Sequence, residues 1–177
     1  MSGRDDVLSR AKEERRLFER ILSVLPGFKG YKEKEIRRES DRLVRDHLYR
    51  RLREGEDLLK EFFQRLSDRR AYGVLEEVDR LVMIFDRVKA RIDHASYGYS
   101  GFFDVLKVDE KDLEEMLSFD ERLIKAVEEV FEETKALREV DVEKVGDIRR
   151  HLEVIRSSLK ELEETFNRRK EKILGVK

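Results

Sequence analysis

Apolar residues recur at alternating steps of three and four along most of this chain, which is the spacing of one face of an α-helix. The spacing predicts five amphipathic helices, over residues 5–25, 32–68, 74–96, 110–138 and 142–173. Heptad spacing favours nearly parallel helix packing, and short connections favour antiparallel neighbours. The pattern therefore predicts an all-α fold: an up-and-down bundle of four to five long helices with coiled-coil character, as a single domain over 1–177.

Helix-breaking and capping residues mark the ends of these segments. Pro26 and Gly27 stop the first helix, because proline denies the next turn a donor and glycine tolerates the exit conformation. Residues 69–73 form the next turn. Asp109 and Asp141 are the expected N-caps of the fourth and fifth helices, since a carboxylate accepts hydrogen bonds from the first free N–H groups.

The second predicted helix has a glycine near its centre, Gly55. The apolar positions that stay in phase across this glycine are Ile36, Leu43, Leu48, Leu52, Leu59, Phe62 and Leu66. We therefore expect one continuous helix, which the glycine weakens by about 1 kcal/mol relative to alanine. A split at Gly55 is the alternative.

The third and fifth predicted helices carry the most regular apolar faces. The positions in the third are Val74, Val78, Leu81, Phe85, Val88, Ile92 and Ala95, and the face is widened by Leu75, Val82, Met83 and Ile84. The heptad positions in the fifth are Val145, Ile148, Leu152, Ile155, Leu159, Leu162 and Phe166. The wide face predicts that the third helix is the most buried of the five.

The predicted helices are unequal in length, at roughly 55 Å for the second and 30 Å for the first when each residue adds 1.5 Å. Some helix must therefore extend past its neighbours, and an extension that carries apolar residues needs a partner. This motivates the hypothesis of a homodimer.

Two predicted connections are rich in glycine and aromatic residues: LPGFKGY (25–31) and SYGYSGFFDVLK (96–107). An up-and-down bundle brings them to the same end. The candidate site residues in these connections are Phe28, Lys29, Tyr31, Lys32, Tyr97, Tyr99, Phe102, Phe103 and Asp104. They form either a structural cluster that closes the end of the core or a recognition surface, where aromatic and lysine side chains bind a protein partner or stack on bases.

The stretches LPGFKGYKEKEIRRESDRLVRDHL and ASYGYSGFFDVLKVDEKDL resemble an uncharacterised family of helical proteins in bacteria and archaea. The resemblance covers about residues 20–125. It implies an ordered unit that contains both connections, and it implies no activity, catalytic residue or cofactor.

Composition narrows the chemistry. The absence of cysteine excludes disulfides, zinc–thiolate sites, iron–sulfur clusters and cysteine nucleophiles. One Gln and one Asn beside 40 Lys+Arg and 41 Asp+Glu is a thermophile-like balance. The start of the chain has no apolar segment typical of a signal peptide, and no apolar run is long enough to span a membrane. We therefore expect a cytoplasmic protein without a membrane span.

The net charge of −1 is unevenly distributed. Residues 109–143 hold 14 acidic and 5 basic side chains, whereas residues 29–53 hold 10 basic and 5 acidic ones. Charge pairing between helices of one bundle is the simplest interpretation. The alternative is an RNA- or ribosome-binding protein that contacts phosphates through the basic stretch 29–53.

Motifs for catalysis or metal binding are missing from the sequence. None of the three histidines lies three residues after a Glu, as a di-metal carboxylate bundle would require, and no phosphate-binding loop is present. Asp147 and His151 lie one turn apart, which is usual for a surface contact. Asp120 falls on the apolar row of its helix. A carboxylate there is either buried and paired, for example with an Arg of the second or third helix, or exposed to solvent, and acid–base catalysis is the remaining alternative.

These observations favour a non-enzymatic protein with no catalytic residues, no cofactor and no metal. We expect a protein–protein interaction or scaffold protein, which binds a protein partner or itself through its helical seams and the aromatic–glycine connections.

Overall fold

The computed structural model describes residues 2–30, 34–95 and 110–174. Five α-helices occupy these residues: α1 (Ser2–Val24), α2 (Lys34–Asp68), α3 (Leu75–His94), α4 (Glu110–Glu139) and α5 (Val145–Leu174), with a 3₁₀ turn at Tyr72–Val74 before α3. The described residues contain no strand. The prediction of an all-α fold is confirmed, while coiled-coil packing in an up-and-down bundle stays a prediction.

α2 passes through Gly55 without a break, as the in-phase apolar residues predicted. A Cβ added at Gly55 would lie 3.1 Å from Cε1 of Phe85, a ring of α3 that is fully buried. The glycine therefore lets α2 and α3 approach closely around this ring. Its cost in helix propensity is offset by packing that a larger residue would disturb.

The ends of the helices follow from local chemistry. α1 ends at Val24 just before Pro26, and Gly27 takes the left-handed conformation with φ +90°, as predicted. α2 ends in a Schellman motif: Ala71 N donates to Leu66 O at 2.9 Å, Arg70 N donates to Ser67 O at 3.0 Å, and Arg70 has a φ of 56°. An arginine thus occupies the position where glycine is usual.

The predicted N-cap of α5 was misplaced. α5 begins at Val145, and Asp141 lies four residues earlier. Its Oδ1 accepts a hydrogen bond from the backbone N of Glu143 at 3.1 Å, so Asp141 stabilises the turn that precedes the helix.

Four helices surround the core in the order α2, α3, α5, α4, and α1 packs against α4 from outside this group. The hairpin partners α2 and α3, and likewise α4 and α5, are antiparallel. α2 and α4 are parallel neighbours. Two contacts show this direction: Arg51 bonds Glu128, and further along both helices Arg65 Nη2 donates to Val140 O at 2.8 Å. Both of these helices therefore end at the same end of the bundle.

The predicted apolar faces of α3 and α5 form the core: from Val74 to Ala95 and from Ile148 to Phe166 their apolar-row residues are at most 6% exposed. Two predictions at the edges of the faces were wrong. Met83 is 57% exposed because it lies on the side of α3 away from α2 and α5. In α2 the core position is taken by Val44, which is fully buried, while Leu43 is half-buried.

Candidate functional site

The first aromatic–glycine connection is described through Gly30. Phe28 is 2% exposed, and its ring lies 5.9 Å from that of Phe18 on α1. Lys29 is exposed, and its Nζ lies 3.6 Å from Glu39 Oε2 on α2. The remaining predicted site residues, Tyr31, Lys32, Tyr97, Tyr99, Phe102, Phe103 and Asp104, lie outside the described residues. Phe28 thus belongs to the core, and Lys29 lies at the surface.

Gly30 is held between α1 and α2. Its φ is +84°, and a Cβ there would lie 3.3 Å from the ring of Phe18. The carbonyl of Gly30 accepts a hydrogen bond of 2.7 Å from the buried hydroxyl of Ser40. A glycine is required because any side chain would strain the backbone and press on the ring. The connection therefore has a fixed position beside α1.

A groove with a volume of about 360 Å³ lies between α1 and α4, next to this connection. Its lining is apolar at Ala11, Phe18, Leu113 and Leu117, with Glu14, Arg15, Lys29 and Gly30 completing it. Ala11 is exposed, whereas Leu117 is 3% exposed and anchors the groove to the core. The groove brings Lys29 of the predicted site together with apolar residues of α1 and α4. The sequence did not predict that these residues of α1 and α4 belong to the same site as Lys29.

The acidic side chains of α4 contact basic side chains on three other helices, four of them Lys or Arg and one a histidine. The cross-helix pairs are Asp112 and Glu115 with Lys172, Asp120 with Arg169, Glu121 with Arg20, Glu128 with Arg51, and Glu133 with His151. The interpretation of the uneven charge as pairing within the bundle is confirmed for these residues. The acidity of α4 serves the assembly of the helices.

A buried network of charges joins α2, α4 and α5. Arg169 is fully buried; its Nε donates to Asp120 Oδ1 at 2.6 Å and its Nη1 donates to Asp41 Oδ1 at 2.7 Å. Arg45 Nε donates to the other oxygen of Asp41 at 2.9 Å. Two cations thus balance two carboxylates, as burial of charge requires.

Of the alternatives that the sequence left open for Asp120, burial with a paired arginine is the one found, and the arginine is on α5 rather than on α2 or α3. Arg169 lies three residues after Phe166, so it continues the apolar row of α5. A basic residue in phase with that row was the signal that could have identified this partner.

A second, less buried network joins α2 to α4. Arg51 donates through two nitrogens to the carboxylate of Glu128, and its guanidinium lies 3.9 Å from the ring centre of Phe131. His47 Nε2 lies 3.0 Å from Glu128 Oε1. Burial lowers the pKa of His47, and the charges of Arg50 and Arg51 add to this effect against the opposing influence of Glu128.

The carboxylate of Glu128 stays ionised in this setting. Burial raises its pKa, but the hydrogen bond from Arg51 and the positive charge beside it outweigh burial, so its pKa lies below the ordinary value. The Arg51 guanidinium likewise has a raised pKa because of its hydrogen bond to Glu128. The arrangement is a stable ion pair, and the nearby His47 has a lowered pKa.

Asp147 and His151, the pair one turn apart in α5, have separate partners. His151 Nδ1 lies 2.7 Å from Glu133 Oε1, and Asp147 Oδ1 accepts a hydrogen bond of 2.6 Å from Arg150. Within the described residues, no three His, Asp or Glu side chains come together in a way that could hold a metal ion. No helix in that part of the chain has the length and apolarity needed to cross a membrane.

Several cations of the basic stretch 29–53 already contact carboxylates of the same chain. The pairs are Lys29 with Glu39, Arg42 with Asp46, Arg45 with Asp41, and Arg51 with Glu128. Binding RNA phosphates through these side chains would require breaking such contacts. The RNA-binding alternative stays a prediction.

Comparisons of the chain with protein-family models, curated proteins and solved structures give no match. The resemblance to an uncharacterised helical family therefore stays a prediction, and the argument for function rests on the groove and on the charges described above.

Proposed function

We propose that this chain is a non-enzymatic interaction protein that holds an amphipathic helix of a partner protein in the groove between α1 and α4. The observation that supports the proposal is the position of α1, which packs mainly against α4 and leaves residues such as Ala11 exposed beside an apolar groove. A helix in that groove would contact both α1 and α4, and it would cover their apolar side chains.

The lining of the groove defines the chemistry of the partner. Phe18, Leu113 and Leu117 would take apolar side chains spaced at three and four positions on one face of a helix. Glu14, Arg15 and Lys29 line the groove with charges of both signs, so the partner helix should carry both signs along the edges of its apolar face. A helix satisfies its own backbone hydrogen bonds and can therefore bind between two other helices.

The buried titratable groups support a non-enzymatic function. Arg169 donates hydrogen bonds to Asp41 and Asp120, and Glu56, which is 1% exposed, contacts Lys60 and Lys89. These groups hold helices together in the core, whereas the groove is lined mainly by apolar side chains. A general acid or base needs access to a substrate, and these side chains have none.

A photocrosslinking amino acid at position 11, used in native cell extract, tests this proposal. We expect crosslinks to one partner segment with an amphipathic helical pattern, and binding of that segment as a synthetic peptide to the purified protein. Ala11→Arg should weaken peptide binding at least tenfold by filling the groove, whereas Ala136→Arg, on an exposed part of α4, should leave it unchanged.

Three outcomes would contradict the proposal. Crosslinks only to a second copy of the chain would identify self-association through α1 instead, and crosslinks only to nucleic acid, abolished by nuclease, would favour the RNA-binding alternative. Equal peptide affinity of the Ala11→Arg variant and the unmodified protein would show that the groove is not the binding site.

A further inference from the structure

A second recess lies at the end of the bundle where α2 and α4 both end. It has a volume of about 800 Å³ and lies between the turn that follows α2 and the connection from α4 to α5. The lining residues are Arg65, Arg69, Ala71, Glu139, Val140, Asp141, Val142, Glu143 and Val145. All of them are described, and none belongs to the groove between α1 and α4.

The two walls of this recess carry opposite charges that do not meet. Arg69 lies on the wall formed by the end of α2, and Asp141 and Glu143 lie on the wall formed by the α4–α5 connection. All three are exposed, and within the described residues no ion pair joins any of them to an opposite charge. Elsewhere between helices, exposed Arg and Glu side chains do pair, as Arg149 and Glu77 do at 2.9 Å.

Arg65 sits at the base of the basic wall and is also without a carboxylate partner among the described residues. Its Nη2 donates to Val140 O at 2.8 Å, its guanidinium lies 5.0 Å from the ring centre of Phe62, and its buried Nε has no hydrogen-bond partner there. Arg65 thus joins the start of the α4–α5 connection to α2.

The base of the recess is apolar and only partly covered. Ala71, Val140, Val142 and Val145 are half-buried, and Tyr72, in the turn beside Ala71, is 63% exposed. Partly exposed valines with a neighbouring exposed aromatic side chain are the kind of residues that become the centre of an interface, surrounded by a polar rim.

We propose that this recess is a self-association surface, where a second copy of the chain docks with its own recess about a two-fold axis. A surface with an apolar centre, a basic side and an acidic side is complementary to itself under two-fold rotation. The rotation places Arg69 of each copy opposite Asp141 and Glu143 of the other, and contact between the two rims shields the valines of both copies from solvent. The proposal is independent of the partner helix at the other end.

Charge reversal on each wall gives a direct test by analytical ultracentrifugation at low salt. We expect a concentration-dependent dimer for the unmodified chain, and a dissociation constant raised at least tenfold for both Arg69→Glu and Glu143→Arg. Arg69→Glu places an acidic side chain opposite Asp141 and Glu143, and Glu143→Arg places a like charge opposite each Arg69 while Asp141 remains. An equimolar mixture of the two variants should regain part of the dimer. In the mixed pair, the acidic side chain introduced by Arg69→Glu faces the basic one introduced by Glu143→Arg, and Arg69 of the second variant faces Asp141 and Glu143 of the first.

Matched controls keep the result specific. Arg53→Glu on α2 and Glu161→Arg on α5 reverse exposed charges outside the recess and should leave the dissociation constant unchanged. Helical circular dichroism and thermal unfolding of each variant show whether it is folded, and both recess substitutions are at exposed positions. A strict monomer at all concentrations would overturn the proposal.

Two further results would also overturn it. In one, the Arg69→Glu and Glu143→Arg variants dimerise as well as the unmodified chain. In the other, their mixture remains monomeric. Ala11→Arg, the groove variant, should retain the dimer. An error in the proposal for the recess would therefore change the dimerisation results, and an error in the proposal for the groove would change the peptide-binding results.

Discussion

Two networks of ion pairs join α2 to α4, and they differ in their access to water. In the first network, Arg169 and Asp120 are both fully buried, and the side chain of Asp41 is 3% exposed. In the second, the side chains of Arg51 and Glu128 are 23% and 30% exposed, and only His47 is buried, at 5%. The side chains of Arg169, Asp120 and Asp41 therefore have almost no access to solvent, whereas those of Arg51 and Glu128 are partly hydrated.

The difference in burial decides what each network does for the fold. A charge that loses its partner in the core cannot be hydrated, so removal of one partner is far more costly than the net stabilisation from the intact pair. At the half-exposed network, water can replace a lost partner. The buried network therefore fixes the positions of α2, α4 and α5 relative to one another, whereas the second network adds a smaller stabilisation.

Arg169→Met should give the largest loss of stability. It leaves the carboxylates of Asp41 and Asp120 buried without the cation between them, and we expect the free energy of unfolding to fall by about 3–5 kcal/mol. Urea denaturation at pH 7, followed by helical circular dichroism, measures this change.

The adjacent Arg168 provides the control for this substitution because it is exposed. Arg168→Met should change stability by no more than about 0.5 kcal/mol. Equal effects of the two substitutions would show that the buried network does not hold the three helices together.

Glu128→Gln should give an intermediate loss. It removes the charge that bonds Arg51 through two nitrogens and contacts His47, and the exposed fraction of the site allows water to compensate in part. We expect a decrease of about 1–2 kcal/mol in the free energy of unfolding. Glu129→Gln, at the exposed neighbouring position, should have almost no effect, and a loss as large as that from Arg169→Met would abolish the distinction between the networks.

The positions of the helices could be predicted from the sequence because each apolar face repeats locally along the chain. The same periodicity places Asp120 in the core. It also places Arg169 on the apolar row of α5, but it does not show that the two residues pair, because they are 49 positions apart and meet only through the packing of α4 against α5. Local pattern thus predicted the elements, and the tertiary arrangement decided the pairs.

The two surfaces proposed for binding differ in the same way. Phe28 and Lys29 stood out in the sequence by composition, but only the fold places Lys29 beside Ala11 and Leu117. Arg69 and Glu143 give no local signal, because exposed charges are common in this chain. They are brought to one recess because α2 and α4 are parallel and end together.

A pH titration of His47 gives the smallest expected effect and tests the half-exposed network alone. Burial, with the charges of Arg50 and Arg51, lowers the pKa of His47 against the pull of Glu128. The unfolded chain therefore binds a proton at His47 more readily than the folded chain does. Its contribution to stability is fully present above the unfolded pKa of about 6.5, and it is lost as the pH falls below this value.

His47→Gln should therefore reduce the change in the free energy of unfolding between about pH 7.5 and pH 5.5. This reduction should be smaller than the loss of stability caused by Glu128→Gln. Glu128 does not contribute in this range, because its lowered pKa keeps it ionised until the pH falls through the usual range of a carboxylate. His94→Gln is the control, since His94 is exposed. The free energy of unfolding of both variants could instead show the same pH dependence as that of the unmodified chain. Water would then reach His47 freely, and the contrast between the two networks would depend on Arg169 alone.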